Sequence, residues 1–370
     1  MSDTRKTTKP NVPNLRFPGF EGEWENKRIG DIGKFFSGGT PSSSRKDFYG
    51  GEIPFIRSGE IHSDKTELFL TQEGYKNSSA KMVEVGDILL ALYGANSGDI
   101  SISQMRGAIN QAILCIRTNV APVFFKSVWE KLAQKILNTY LQGGQGNLSA
   151  DIVKKITISI PSQIEQAKIA ALFSHLDERI SIQNRLIDRL QSLMIGIAQK
   201  IAHSNKPNVR ISDCLECSSS ALQESEVNKT GKYPVYGANG IVGYIDKYHT
   251  QNEAIYIIKD GSGVGGVSYV TGKCSSTGTL NILQAKNGQS LKYLYYLLKV
   301  FNFVPYKTGM AIPHIYFKDY GKAKIFCPAY PEQLEYAKLL SSIDGNLRIA
   351  LDSLKNFNLQ KQYLLRHMLI

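Results

Sequence analysis

The feature that most constrains this chain is an internal repeat. The sequence aligns with itself at a shift of 167 residues, with Pro161 on Pro328, Glu165 on Glu332, Gln166 on Gln333, Asp177 on Asp344, Gly94 on Gly261 and Gly98 on Gly265. Solenoid arrays repeat every roughly 20–50 residues, so this period is far too long for one. The repeat therefore predicts a duplicated unit that combines a globular domain with a following segment.

Each half ends in a segment with the apolar spacing of a coiled coil, alternating between three and four residues. The first series is Phe173, Leu176, Ile180, Gln183, Ile187, Leu190, Met194, Ile197 and Ile201, and the second is Leu340, Ile343, Leu347, Ala350, Leu354, Phe357, Lys361, Leu364 and Met368. Only Gln183 and Lys361 are polar. This narrow stripe favours two long helices that pair with each other, over an alternative in which each helix packs on its own globular part.

The remaining sequence has the composition of strands and tight turns. Short runs rich in β-branched and aromatic residues, such as 53–57 and 254–258, alternate with glycine-rich stretches. Such runs are typical of strands separated by turns. We therefore predict an α+β protein with two globular domains that contain bent β-sheets, each followed by a long helix, in a pseudo-twofold duplicated arrangement.

The charge balance points to nucleic acid. The chain carries 44 Lys and Arg against 32 Asp and Glu, a net charge of +12. An excess of this sign favours a nucleic-acid partner over an acidic protein or a membrane surface. Five scattered cysteines do not suggest a disulfide framework, and no apolar run approaches the length of a membrane span. We expect a soluble cytoplasmic protein.

Motifs for catalysis and metal binding are weak. Gly261–Gly266 matches G-x-G-x-x-G, but a strand-like run follows it, whereas a dinucleotide fingerprint opens a helix. Cys214 and Cys217 form a C-x-x-C without further zinc ligands at suitable spacing. The sequence contains no P-loop motif, no H-E-x-x-H and no G-x-S-x-G. We expect this chain to have no catalytic residues, no bound cofactor and no metal.

The order of these motifs resembles the specificity subunit of type I restriction-modification systems. The resemblance extends from about residue 13 to residue 370. It is carried by Pro13-Asn-Leu-Arg-Phe-Pro-Gly-Phe20 with Trp24 and Ile29-Gly-Asp-Ile32, by Ser37-Gly-Gly-Thr-Pro-Ser42, by Tyr233-Pro-Val-Tyr-Gly-Ala-Asn-Gly240 with Gly243-Tyr244 and Gly261-Ser-Gly263, and by the two Pro and Glu-Gln segments that begin the heptad repeats.

The resemblance implies a domain order and a function. The expected parts are an N-terminal tail at 1–23, target-recognition domain 1 at 24–160, spacer helix 1 at 161–206, target-recognition domain 2 at 207–327 and spacer helix 2 at 328–370. The helices would pair as an antiparallel coiled coil that fixes the distance between the domains. Each domain would read one half of a bipartite double-stranded DNA target.

The same resemblance implies the partners. Two modification (methyltransferase) subunits would use S-adenosylmethionine, and restriction subunits would use ATP and Mg²⁺ for translocation and cleavage, with no role for a membrane. Two alternatives remain open from the residues themselves. The chain could be a stand-alone DNA methyltransferase or nuclease with a degenerate site, or a coiled-coil scaffold that does not bind DNA.

Base reading in the major groove requires polar side chains at exposed loop positions. On this criterion the first domain offers Thr40, Ser42, Arg57, Ser58, Tyr93, Asn96, Ser97, Arg106, Asn110, Gln111, Gln142, Gln145 and Asn147. The second domain offers Tyr236, Asn239, Lys259, Ser262, Lys273, Ser276, Thr277, Lys307 and His314. Turns favour the same residue types, so any one of these side chains could instead stabilise its own loop.

Overall fold

The computed structural model describes residues 10–141, 147–203, 205–286 and 288–370. Unit 1 extends to Ile182 and includes Leu354–Ile370, and unit 2 is Gln183–Ser353. The strands are β1 Glu25–Arg28, β2 Gly33–Ser37, β3 Tyr49–Ile56, β4 Phe69–Leu70, β5 Lys81–Val83, β6 Ile88–Ala91, β7 Ile100–Ile102, β8 Gly107–Ile109, β9 Ile113–Thr118, β10 Thr157–Ile160, β11 Val209–Arg210, β12 Leu215–Ser219, β13 Tyr233–Gly237, β14 Gly240–Ile245, β15 Glu253–Ile258, β16 Val267–Thr271, β17 Ser275–Ser276, β18 Leu280–Ala285 and β19 Lys324–Ile325. The α-helices are α1 Gln72–Lys76, α2 Pro122–Leu141, α3 Ala150–Lys155, α4 Gln163–His203, α5 Ile211–Cys214, α6 Leu291–Lys299, α7 Phe317–Tyr320 and α8 Tyr330–Met368.

The two units have similar sheet topologies. Unit 1 contains an antiparallel sheet of order β2-β9-β6-β7 and a second sheet of order β4-β3-β8-β5, in which β3 and β8 run parallel. Unit 2 has the corresponding sheets β12-β18-β15-β16 and β14-β13-β17, the second with three strands instead of four, and in it β13 and β17 run parallel. The predicted duplicated α+β fold is therefore confirmed.

The duplication extends to individual backbone hydrogen bonds. In unit 1 the amide of Ala91 donates to the carbonyl oxygen of Asp99 at 2.9 Å, and in unit 2 Ile258 donates to Gly266 at 2.9 Å. Both residues of the second pair lie 167 positions after those of the first. Because a backbone bond does not depend on the side chain, this framework persists where the two sequences differ.

Each unit buries its own core. In unit 1 the helix α2 packs on the sheet through Phe124 and Trp129, which are 0% and 2% exposed. The indole of Trp129 donates to the carbonyl oxygen of Gly98 at 2.8 Å, so its polar atom is satisfied. In unit 2 the shorter helix α6 buries seven of its nine residues, among them Tyr293 and Leu294 at 0% exposure.

The long helices α4 and α8 pair in antiparallel orientation. In unit 1 Asp177 of α4 contacts Lys361 of α8 at 2.7 Å, and the guanidinium of Arg179 lies 5.9 Å from the ring of Phe357. Residues later in α4 therefore contact residues earlier in α8, which defines an antiparallel pair. All eighteen members of the two heptad series are buried or half-buried, as a coiled-coil seam requires.

The two polar members of the heptad series have specific partners. In unit 2 the side-chain amide of Gln183 donates to the carbonyl oxygen of Ala350 at 2.9 Å. In unit 1 the ammonium of Lys361 lies 2.7 Å from Asp177 and 2.8 Å from Glu130. The exceptions in the apolar pattern are thus satisfied polar contacts of the helix pair.

The repeated Glu-Gln motif anchors the start of each long helix. The side-chain Nε2 of Gln166 donates to the carbonyl oxygen of Pro161 at 2.9 Å, and that of Gln333 donates to the carbonyl oxygen of Pro328 at 2.8 Å. Their side-chain oxygens accept from the backbone amides of Ala121 and Ser290. The glutamine therefore ties the start of the long helix to the start of α2 in unit 1 and to the start of α6 in unit 2.

We expect Gln333→Leu to lower the free energy of unfolding by about 2 kcal/mol, because a buried amide and a buried carbonyl lose their partner. Gln333 is 1% exposed. Gln199→Leu on the exposed face of α4 is the matched control and should stay within about 0.5 kcal/mol of the wild type. Urea denaturation measures both. Equal stability of the two variants would contradict the anchoring role.

Candidate nucleic-acid interface

Backbone hydrogen bonds gather three loops at one edge of unit 1. The amide of Leu92 donates to Ala112 at 2.8 Å, and the amide of Leu148 donates to Leu92 at 2.9 Å. We call the residues 93–98, 110–112 and 147–149 loop cluster 1. The loop after β2 joins it, because the amide of Gly39 donates to the carbonyl oxygen of Ile109 at 3.2 Å.

The same bonds form loop cluster 2 in unit 2, defined as residues 260–265, 277–279 and 314–316. The amide of Lys259 donates to Thr279 at 3.0 Å, and the amide of Ile315 donates to Lys259 at 2.9 Å. All of these residues lie 167 positions after their counterparts in unit 1. One backbone scaffold therefore carries two different sets of side chains.

The glycines of the repeat form the sharp turn in each loop cluster. Gly94 and Gly98 have φ values of 88° and 85°, and Gly261 and Gly265 have values of 96° and 92°. This left-handed region is open to glycine at little cost. The turn at 261–265 leads into the strand β16, not into a helix, as the sequence predicted. The G-x-G-x-x-G stretch is therefore a strand-to-strand turn.

Loop cluster 1 brings many of the predicted residues together. The hydroxyl of Thr40 donates to the side-chain oxygen of Gln111. The side-chain amide of Asn96 approaches the carbonyl oxygen of Ser58 at 3.5 Å. Asn147 lies exposed beside them in the chain segment that Leu148 attaches to Leu92. These side chains form a polar surface of mixed donors and acceptors.

Two predicted residues of loop cluster 1 use their side chains to stabilise turns. The hydroxyl of Ser97 donates to the carbonyl oxygen of Leu92 at 2.9 Å. The side-chain oxygen of Asn110 accepts from the backbone amide of Ala112 at 3.2 Å. Both contacts hold the loops in shape, which is the alternative that the sequence left open for them.

Three predicted residues of unit 1 are engaged with neighbours outside loop cluster 1. Arg57 forms ion pairs with Glu60 at 2.9 Å and with Glu67 at 3.0 Å, and Arg106 pairs with Glu84 at 3.0 Å. Ser42 hydrogen-bonds Ser44. Arg57 and Arg106 have their charge balanced locally, which reduces their attraction for a phosphate. Gln142 and Gln145 lie outside the described residues.

The ion pair of Arg57 shifts the acidity of its partner. Burial raises the pKa of the Glu60 carboxyl, but hydrogen bonds from the side chain and backbone of Arg57 and from the backbone of Glu67 outweigh it and lower that pKa to about 2. Glu60 is therefore ionised at neutral pH, and it holds the arginine at this loop.

In unit 2 the predicted residues divide into exposed and buried sets. Ser262 is exposed in the glycine turn, and Asn239 is exposed in the turn between β13 and β14. Half-buried Tyr236 lies beside loop cluster 2, because its carbonyl oxygen accepts from the amide of Thr277 at 2.9 Å. Lys259 is half-buried at the base of loop cluster 2.

Two other predicted residues of unit 2 lie in exposed turns beyond loop cluster 2. The ammonium of Lys273 lies 4.9 Å from the ring centre of Tyr248. Lys307 is exposed next to Thr308, whose backbone pairs with His314. Lysines at such positions supply charge that a phosphate can approach.

Ser276 and Thr277 correct the prediction that they are exposed. They are 0% and 3% exposed. Ser276 belongs to β17, which is buried and pairs in parallel with β13 at Tyr236. The hydroxyl of Thr277 is hydrogen-bonded to that of Thr279 at 2.8 Å. The sequence alone did not reveal that these residues are buried, because β17 is only two residues long and pairs with a strand that is distant in sequence.

The structure adds one residue that the sequence analysis missed. Asp260 pairs with His314 through its carboxylate oxygen, which lies 2.7 Å from Nδ1 of the imidazole. The repeat itself carries the missing signal, because Asp260 aligns with Tyr93, a predicted residue. His314 likewise aligns with Asn147, so the same two positions are polar in both units.

The described parts of the chain are residues 10–141, 147–203, 205–286 and 288–370. Within them, no group of three or more His, Cys, Asp or Glu side chains is arranged to hold a metal ion. None of the helices traced there combines the length and the apolar character needed to cross a membrane.

Comparison with known proteins identifies the family. A family model described as type I restriction modification DNA specificity domain matches the chain twice, at residues 21–192 and 204–356. The type I restriction enzyme MjaIX specificity subunit of Methanocaldococcus jannaschii is 28% identical over 185 residues, which are 45% of this chain and 42% of that protein. The HindI specificity subunit of Haemophilus influenzae is 28% identical over 188 residues, 46% of this chain and 40% of that protein. The chain thus spans about two fifths of the length of these curated relatives.

A solved structure shares the fold over nearly the whole chain. The crystal structure of the type I restriction-modification system S subunit from M. genitalium superposes with a TM-score of 0.71 at 16% sequence identity. The match covers 97% of this chain and 99% of that one. Both matched segments of the family model contain one copy of the repeated sheet and loop cluster. The chain therefore belongs to the family of type I restriction-modification DNA specificity proteins.

Proposed function

We propose that this chain is the DNA-reading, non-catalytic specificity subunit of a type I restriction-modification complex. Each unit would bind one half of a bipartite double-stranded DNA target. Adenine methylation and DNA cleavage would be carried out by partner subunits, so S-adenosylmethionine, ATP and Mg²⁺ would bind there. The family membership supports this proposal over a stand-alone methyltransferase or nuclease and over a scaffold without DNA.

One observation carries the proposal. Loop clusters 1 and 2 have the same backbone bonds at a shift of 167 residues, yet their side chains differ at nearly every exposed position. At matching positions of the repeat, unit 1 has Tyr93 where unit 2 has Asp260, and Asn147 where unit 2 has His314. A protein that reads two different short sequences with one scaffold needs this combination, since base identity is read by side-chain donors and acceptors.

The positive charge and the helix pair support the remaining parts of the proposal. A net charge of +12 suits a partner whose backbone carries one negative charge per phosphate. The helices α4 and α8 also expose apolar side chains, such as Ile182 at 48% and Ile349 at 67%, which occupy matching positions of the repeat. We infer that two copies of a modification subunit bind this repeated surface and that restriction subunits join them.

Exchange of one unit tests the function. Residues 24–160 are replaced by the aligned block of a relative that has a different target, and the host's methylated adenines are mapped by sequencing. We expect one half of the target to change and the other half to remain. The reciprocal exchange of residues 207–327 should change only the other half. Changes in both halves after either exchange, or methylation that ignores the exchange, would refute the proposal.

A further inference from the structure

We propose that His314 and Asp260 form a reading pair in unit 2, in which the imidazole Nε2 of His314 accepts a hydrogen bond from the exocyclic amino group of an adenine or a cytosine. Asp260 acts as the positioning residue. This inference rests on the proposed function and specifies its chemistry at one position of the second half of the target.

The geometry fixes the orientation of the imidazole. The carboxylate of Asp260 lies 2.7 Å from Nδ1, and both side chains are 35% exposed, so the pair lies at the surface. Their backbones also form a bridge to each other, and the backbone of His314 is bridged to Thr308 on its other side. Among the described residues, no hydrogen bond reaches Nε2 of His314.

The pairing also fixes which ring nitrogen can accept. A carboxylate can only accept hydrogen bonds, so Nδ1 must carry the proton in this contact. In a neutral imidazole the other nitrogen, Nε2, then has a free lone pair. In the major groove the adenine N6 and cytosine N4 amino groups are the donors that complement such a lone pair, whereas guanine presents only acceptors there.

The backbone at Gly309 lies close beside the imidazole of His314. Its φ is 87°, and a Cβ atom placed there would lie 2.3 Å from the carbonyl oxygen of Ile312 and 3.1 Å from Cδ2 of His314. The glycine thus allows the hairpin around residues 308–314 to close against the imidazole. Carboxylate and backbone together leave the ring little freedom, which is what a specific base contact requires.

The repeat provides an internal comparison. The matching positions in unit 1 are Tyr93 and Asn147, which offer a phenol and an amide where unit 2 offers a carboxylate and an imidazole. The same place in the scaffold therefore presents different hydrogen-bonding groups, as expected of positions that determine specificity.

The test selects bound sequences from a random pool of double-stranded DNA. The full chain, in complex with its modification subunit, is used as wild type and as His314→Ala, Asp260→Ala and His314→Gln. We expect the preference for one base over the others to fall about tenfold in the first two variants, and to fall at the same position of the second half-site in both. His314→Gln should keep part of it, because its side-chain oxygen can still accept.

Matched controls come from the same unit. His203→Ala and Asp246→Ala remove an exposed histidine and an exposed aspartate away from loop cluster 2, and both should leave the selected sequences unchanged. Unchanged preference in His314→Ala and Asp260→Ala would overturn the proposal. So would a loss that affects every position of the second half-site equally, without retention in His314→Gln, because the pair would then only maintain the loop. If the wild type selects no sequence at all, the proposed function itself fails.

Discussion

Replacing Lys361 by alanine is expected to lower the free energy of unfolding of unit 1 by about 3 kcal/mol, because two half-buried carboxylates then share Lys126 as their one remaining cation. Lys126 and Lys361 alternate with Glu130 and Asp177 in a closed ring of four charges, with contacts of 2.7–2.8 Å. The two lysine side chains are only 14% and 16% exposed. The contact between Lys361 and Glu130 is a close ion pair without hydrogen-bond geometry.

Lys355→Ala is the matched control for this prediction. Lys355 lies on the same helix, in the same unit, and is exposed, so its loss should change stability by no more than about 0.5 kcal/mol. The double variant Lys361→Ala/Asp177→Ala removes one charge of each sign and leaves the pair of Lys126 and Glu130. We expect the double-mutant cycle to give a coupling energy of about 2 kcal/mol. Additive losses would show that the four charges do not act together.

The ring also predicts a pH dependence. Burial works to raise the pKa of Asp177, but hydrogen bonds and charge from Lys126 and Lys361 outweigh it and lower that pKa. A carboxyl with a depressed pKa in the folded state contributes stability at neutral pH, which is lost as the pH falls through the folded value. The stability advantage of the wild type over Asp177→Asn should therefore persist at pH 7 and shrink below about pH 4. An advantage that grows in acid would contradict the assignment.

We expect Leu340→Asp to be still more disruptive and to destabilise unit 2 by about 5 kcal/mol, because it places an unpaired carboxylate in an apolar seam. Leu340 belongs to the heptad series of α8 and is 1% exposed. The control is Ile349→Asp on the same helix, which adds the same charge at a position that is 67% exposed. This control should stay close to the wild type in thermal unfolding.

The same pair of variants separates stability from assembly. If exposed apolar residues such as Ile349 bind a modification subunit, Ile349→Asp should fold normally and yet weaken the complex in a pull-down. Leu340→Asp should lose both. If Leu340→Asp unfolds no earlier than Ile349→Asp, the seam assigned from the heptad pattern is wrong.

Periodicity made the large features predictable. The 167-residue repeat predicted two similar sheets, and the heptads predicted α4 and α8, because both signals depend on many residues at regular spacing. The polar members Gln183 and Lys361 were visible as exceptions, but their partners were not. Lys361 contacts Glu130, which belongs to another helix and is distant in sequence, and no local pattern encodes such a contact.

The candidate interface was predictable as a set of loops and less so as a set of side chains. Polar turn residues such as Thr40 and Gln111 do lie together in the structure. Composition alone could not distinguish them from Arg106, which pairs with Glu84, or from Ser276, which is buried within a two-residue strand. Asp260 was not predicted because the residue types expected to contact bases do not include a carboxylate that only orients a neighbouring histidine.

The repeated backbone bonds of the two loop clusters have a consequence for how such a protein can change over generations. The contacts of Leu92 and Lys259 that hold the loops together join main-chain atoms, so most substitutions of exposed side chains leave them intact. Substitutions at these positions should therefore change the free energy of unfolding little, while they change the hydrogen-bonding groups that are presented to a ligand. Glycines with positive φ, such as Gly94 and Gly261, are the exception and should resist replacement. The exposed side chains of the loop clusters can therefore be substituted while the backbone bonds and the glycine turns keep the fold. A single substitution can thus change the specificity of such a protein without unfolding it.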